Sequence, residues 1–191
     1  MKEPTFVLTH KACVEHGRIL TELSKALDLE YEPAVSMLLK ALAEGGKLLV
    51  CGCGGSAAQA SHFVAELQVR YATDRRALAA VALTSDGAIL SAAANDLGWP
   101  QAYSRQIEAL AHPGDCLVAY STSGRSVVVL NALAAARKKG MTTLGITGER
   151  GFAQSADVEL RVPSQVTARI QEMHLLITHL LVEGIERGIP A

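Results

Sequence analysis

Four short apolar runs constrain this chain more than any other feature. KLLVCG (47–52), LAAVAL (78–83), CLVAYS (116–121) and TTLGIT (142–147) are too short for core helices, and each runs into a turn of small or polar residues. Runs that are apolar throughout, rather than at every second residue, read as strands buried on both faces, which belong to parallel sheets. VELRVP (158–163) is a weaker fifth run. Helical patterns lie between them, at 56–71, 87–94, 100–110, 126–139 and 165–187. Strand–helix alternation of this kind predicts an α/β fold, a three-layer αβα sandwich around a five-stranded parallel sheet. Upstream, 6–28 and 33–44 read as two helices, with Pro33 in the first turn of the second and Gly45–Gly46 ending it. They form an N-terminal helical extension (1–44) to a core spanning 45–191, within one domain. Such an extension often supplies a subunit interface; capping the core is the alternative.

The totals exclude several classes of function. The chain has 191 residues, enough for one domain with its own core. Its net charge of -1 gives no general basic field for nucleic acid. No apolar run reaches the roughly 18 residues that suggest a membrane span, and the polar, charge-broken N-terminus does not read as a signal peptide. Four cysteines make no disulfide framework, so a reducing cytoplasm is expected.

Ligands of open parallel sheets bind beyond the carboxyl ends of the strands. Those ends read GCGGSA (52–57), TSDG (84–87), STSGRS (121–126) and TGERG (147–151). Two are serine- and glycine-rich turns that open helices. Hydroxyls, free backbone N–H groups and a helix N-terminus together make an anion site, with phosphate the expected anion. Capping by Ser56 and Ser126 is the plainer alternative. The turns are neither a Walker-type phosphate loop nor a dinucleotide fingerprint. In the helix after the first turn, His62 and Glu66 stand four residues apart, on one face. They suit a metal ion or a substrate, though surface pairs at this spacing are common. In the last helix, Gln171 and His179 are eight apart, with His174 and Glu172 on neighbouring faces as boundary or interface residues. Arg70, four after Glu66, reads as its salt-bridge partner, and Arg169 as a partner for a carboxylate or substrate. Cys51 and Cys53 lack the spacing of a zinc site, and Cys51 reads as a small core residue.

The blocks GGKLLVCGCGGSAAQASHF (45–63), ALTSDGAILSAAANDLGW (82–99), GDCLVAYSTSGRSVVVLNALAAARKKGM (114–141), TLGITGERG (143–151) and LRVPSQVTARIQEMHLLITHLL (160–181) resemble the sugar isomerase (SIS) domain family, and within it the phosphoheptose isomerases. The resemblance implies a homotetramer with sites between subunits that converts sedoheptulose 7-phosphate to D-glycero-D-manno-heptose 7-phosphate, towards the heptose of lipopolysaccharide. It implies that Ser121, Thr122, Ser123 and Ser126 bind the phosphate, with Ser56 assisting. Gly54 and Gly55, with Cys53 beside them, contact substrate, and Asn95 and Asp96 lie near the sugar. His62, Glu66, Gln171 and His179 match zinc ligands, one ion per subunit, while Glu66 and His179 also match the acid–base pair. Six positions depart from the family pattern, Val127 and Val128 among them, after the third turn. Cys53 replaces an asparagine, Ala88 a hydroxyl residue and Val166 an aspartate, and Arg125 adds a charge to the third turn. They leave the particular phosphosugar open. A SIS protein without catalysis, bound to the replication initiator, is the alternative, but that branch has generally lost the glutamate and the final histidine kept here.

Overall fold

The computed structural model describes residues 5–154 and 156–189; the outer bounds of the expected domain, at 1 and 191, lie outside them. The five strands are β1 (Leu48–Cys51), β2 (Ala80–Ala82), β3 (Cys116–Ser121), β4 (Thr142–Gly148) and β5 (Val158–Val162), all parallel, in the order β2-β1-β3-β4-β5. The helices are α1 (Thr5–Ala43), α2 (Gly55–Gln68), α3 (Gly87–Asp96), α4 (Ala102–Leu110), α5 (Val127–Lys138) and α6 (Thr167–Gly188).

The pleat sorts side chains into two apolar layers. Leu48 and Val50 of β1, and Cys116, Val118 and Tyr120 of β3, face the layer built with α1, α2 and α6. Leu49, Cys51, Leu117 and Ala119 face the opposite layer, with α3, α4 and α5. This two-sided burial is why the runs read as continuously apolar.

The N-terminal segment departs from expectation: one helix of 39 residues replaces the two predicted, with Pro33 inside it. Proline lacks an N–H, so the carbonyl of Leu29 loses its helical partner. Leu29 is 81% exposed, a position at which solvent can satisfy a carbonyl. Around Pro33, Ala34, Val35 and Leu38 are buried in the first apolar layer, and that packing outweighs the break. The same layer holds Ile19 and Leu23, so much of α1 belongs to the core rather than standing outside it. Its first turns do not: Phe6, Leu8 and Val14 are exposed.

Candidate active site

Strand order reverses between β1 and β3, because the chain passes from β1 to the edge strand β2 before β3 pairs with β1 on the other side. That switch point opens a crevice at the strand ends, and both serine turns lie there. The two touch, with Cys53 Sγ 3.6 Å from Ser126 Oγ. Tyr103 donates its hydroxyl hydrogen to the Gly52 carbonyl and pins the first turn from the α4 side. Cys51 is fully buried; burial, with a smaller contribution from Cys53, pushes its thiol far above the ordinary range, in keeping with a core residue.

Neither expected capping bond is formed. Gly54 occupies the N-cap of α2, which has no side-chain cap, and Ser56 sits inside the first turn, buried. Ser126 is the N-cap of α5, but its hydroxyl caps nothing. Neither helix start has a side-chain acceptor, although the carbonyls of Cys53, Gly54 and Ser126 take the N–H groups of Ser56, Ala57 and Val129; a helix start without a side-chain cap is where an anion can be received. The rest of the third turn is held from within. Ser121 Oγ accepts from Gly124 N at 3.1 Å and Ser123 Oγ from Arg125 N at 3.2 Å. Gly124 is indispensable to this turn: its φ is 64°, and a Cβ there would lie 1.8 Å from the Gly151 carbonyl oxygen. A hollow of about 240 Å³ opens beside it, between Thr122, Ser123 and Arg125 on one side and Arg150, Ser164 and Gln165 on the other. Two larger hollows, about 470 and 500 Å³, line α1 and include no residue of the serine turns.

The acid–base candidates meet where α2 packs on α6. His62 Nε2 lies 3.0 Å from His179 Nε2 and 3.5 Å from Glu66 Oε1. One ligand atom from each of His62, Glu66 and His179 fits within 4.8 Å of the others. Two imidazole nitrogens and a carboxylate oxygen at such separations match the donor set and reach of a zinc-type ion, with metal–ligand bonds of roughly 2.0–2.2 Å. Gln171 is placed differently. Two helical turns before His179, its side chain packs on Gly55, where a Cβ would lie 2.5 Å from Nε2. It joins the first serine turn to α6 rather than the His/Glu group.

Asn95 and Asp96 end α3, exposed, with Asn95 Nδ2 donating to Asp96 Oδ1 at 2.7 Å. Two smaller expectations change, for Arg70 and His174, while Glu172 keeps its boundary place. Arg70 reaches Asp74, at 3.9 Å, because Glu66 turns towards His62. Glu172 is tied to α1, 2.9 Å from His16 Nδ1, and also accepts from Arg169. His174 is fully buried against Tyr120, not at a boundary. Burial pushes its imidazole down to about 4, against a smaller upward pull from the Thr147 backbone, and neither ring nitrogen makes a hydrogen bond of normal geometry.

Two residues not singled out from the sequence, Tyr71 and Glu186, complete the site. The Tyr71 ring stacks on His179, with centroids 5.5 Å apart and planes at 28°. Glu186, seven residues after His179 and so on the same side of α6, holds the backbone at Tyr71. Counting two turns on from His179 would have found Glu186; nothing local announces Tyr71.

Comparison with known proteins fixes the class first. The family model described as SIS domain matches residues 13–148, and with the relatives below it places the chain in the SIS domain family, among the phosphoheptose isomerases. A phosphoheptose isomerase of Aromatoleum aromaticum is 46% identical over 177 residues, 90% of this chain and 89% of that protein. One from Campylobacter jejuni is 46% identical over 183 residues, 95% and 98% of the two chains. The structure of phosphoheptose isomerase from Neisseria gonorrhoeae superposes with a TM-score of 0.87 at 41% identity, covering 95% of this chain and 97% of that one. The five-stranded α/β sandwich expected from the sequence is the fold of that structure.

Proposed function

We propose that this chain is an aldose–ketose isomerase that converts sedoheptulose 7-phosphate to D-glycero-D-manno-heptose 7-phosphate, a precursor of lipopolysaccharide heptose. The observation that carries the reading is the convergence of Glu66 and His179 beside a crevice with two uncapped helix starts. The phosphate sits on Ser121, Thr122, Ser123 and Ser126 with Ser56 near it, and Arg125 adds positive charge. Cys53, Gly54, Gly55 and Gln171 line the sugar on the first-turn side, and Asn95 and Asp96 reach it from α3.

The Glu66 carboxylate removes the proton from C1, next to the ketone. His179 delivers a proton to the C2 oxygen as the enediol forms. Glu66 then returns a proton to C2 while His179 takes the proton from the O1 hydroxyl, which leaves the C1 aldehyde. Atoms and charge balance over the cycle. His62, Glu66 and His179 would hold one zinc ion per subunit, with Gln171 the fourth ligand after a side-chain turn. Bound there, such an ion would supply Lewis-acid stabilisation of negative charge developing on the substrate oxygens. The exposed apolar start of α1 and the exposed Asn95–Asp96 corner support a homotetramer with sites between subunits. Among the described residues no helix is long and apolar enough to cross a membrane, and a cytoplasmic location is proposed. Retention of Glu66 and His179 speaks against a purely binding role.

The test follows aldose formation from sedoheptulose 7-phosphate by purified protein, with metal analysis and light scattering on the same sample. Glu66→Gln is expected to lower kcat by about 10²–10⁴, the usual contribution of general acid–base groups. Silence of the wild type with and without zinc, or full activity of Glu66→Gln, refutes the reading.

A further inference from the structure

The segment between α2 and β2 is largely exposed at Ala72, Thr73 and Asp74, yet a buried ion pair holds it. Arg75 Nε lies 3.1 Å from Glu186 Oε1, and both side chains are only 5% exposed. Glu186 also accepts the backbone N–H groups of Tyr71, at 3.1 Å, and of Ala72 and Thr73, both at 3.2 Å, and the Thr73 hydroxyl at 3.1 Å. Arg75 donates to the carbonyls of Leu67, at 2.8 Å, and of Glu66, at 2.6 Å. Stability alone is a poor reason for this arrangement, because desolvation of a buried pair offsets most of its attraction. Its geometric result is definite. One end grips the carbonyl of Glu66; the other fixes the turn that lays Tyr71 on His179. His62 meets the same imidazole edge-on, at 5.2 Å and 66°.

We propose that Arg75, Glu186 and Tyr71 are positioning residues for the isomerisation: a clamp that sets Glu66 through its carbonyl and His179 through a stacked ring. The inference rests on the reading of Glu66 and His179 as the acid–base pair. Misplacing a reacting group by about 1 Å costs up to roughly a hundredfold in rate, so the clamp acts on kcat and leaves phosphate binding alone.

The experiment compares Tyr71→Leu, Tyr71→Phe, Glu186→Gln and the Tyr71→Leu/Glu186→Gln double variant, as whole folded proteins. Tyr71→Leu is expected to lower kcat by about tenfold to a hundredfold with KM within about twofold, while Tyr71→Phe retains wild-type kcat. In proton NMR, the His179 ring resonance, assigned with His179→Gln, moves in Tyr71→Leu on loss of the ring current and stays in place in Tyr71→Phe. The double variant is no slower than the slower single variant, as coupled residues require. The clamp is overturned if Tyr71→Leu leaves kcat and the resonance unmoved, if Tyr71→Phe loses as much as Tyr71→Leu, or if the losses add. A wild type that does not turn over the heptose phosphate overturns the isomerase reading instead, and the resonance measurements then decide the stacking on their own.

Discussion

Lowering the pH should destabilise this protein through one residue, His174. Its ring lies in the apolar layer between β3 and α6, 5.7 Å from the Tyr120 ring, whose hydroxyl is engaged with Thr178 Oγ1 at 2.7 Å. Neither ring nitrogen makes a hydrogen bond of normal geometry, so a proton placed there is compensated only weakly, by the Thr147 backbone. Burial thus holds the folded value near 4, against 6.5 for the free side chain. The sign follows from which state binds the proton first. Below pH 6.5 the unfolded chain takes up a proton that the folded chain refuses, so stability is complete above that pH and falls as pH approaches 4. Between pH 7 and pH 5 the two values imply a loss of about 2 kcal/mol. Urea unfolding at pH 7, 6 and 5, at one fixed protein concentration, measures it. The control is His174→Leu, which keeps a similar volume and has nothing to protonate. Other titrating groups contribute equally to both proteins, so the difference between the two pH dependences isolates His174. Equal losses in wild type and variant would refute the burial argument.

Three further outcomes follow from the same structure. Gly124→Ala drives a Cβ into the Gly151 carbonyl from a left-handed backbone; a loss of more than about 2 kcal/mol is expected, read as a lowered Tm. Asp115 accepts from Lys47 Nζ at 2.7 Å and from the N–H groups of Lys47 and His112; burial raises its pKa, but these bonds outweigh it and hold the carboxyl below 3.8. Its stabilisation is therefore present above pH 3.8 and lost as pH falls through the lower folded value, and Asp115→Asn should lose about 1.5–3 kcal/mol at neutral pH and unfold less steeply in acid, by circular dichroism. Cys53→Asn places an amide where Cys53 Sγ meets Ser126, and one added hydrogen bond to substrate should lower KM about fivefold in the isomerase assay.

What could be read from the sequence divides along physical lines. The sheet was legible because both of its faces are buried, so Leu49 and Val50 are apolar for opposite layers yet adjacent in the chain. The serine turns were legible because glycine and serine at strand ends carry their meaning locally. The His62–Glu66 pair followed from helical spacing, which also paired His179 with Gln171, but that His179 joins His62 and Glu66 from 117 residues away followed only from resemblance to a family. Pro33 misled because local propensity says nothing of Val35 and Leu38 packing on the sheet. Arg70 misled because Glu66 had a better partner. Tyr71 was unreadable, since its place is set by Glu186, 115 residues on.

The strand order has a consequence for folding. The two serine turns sit on neighbouring strands, yet between β1 and β3 the chain travels out to the sheet edge and back. The β1–β3 ladder is thus the most distant in sequence of the sheet's pairings, the kind that slows folding. The crevice exists only once that ladder has formed. A phosphate-bearing ligand seated across both turns would bind the closed sheet and not its precursors, and so would stabilise the least local strand pairing of the sheet by mass action.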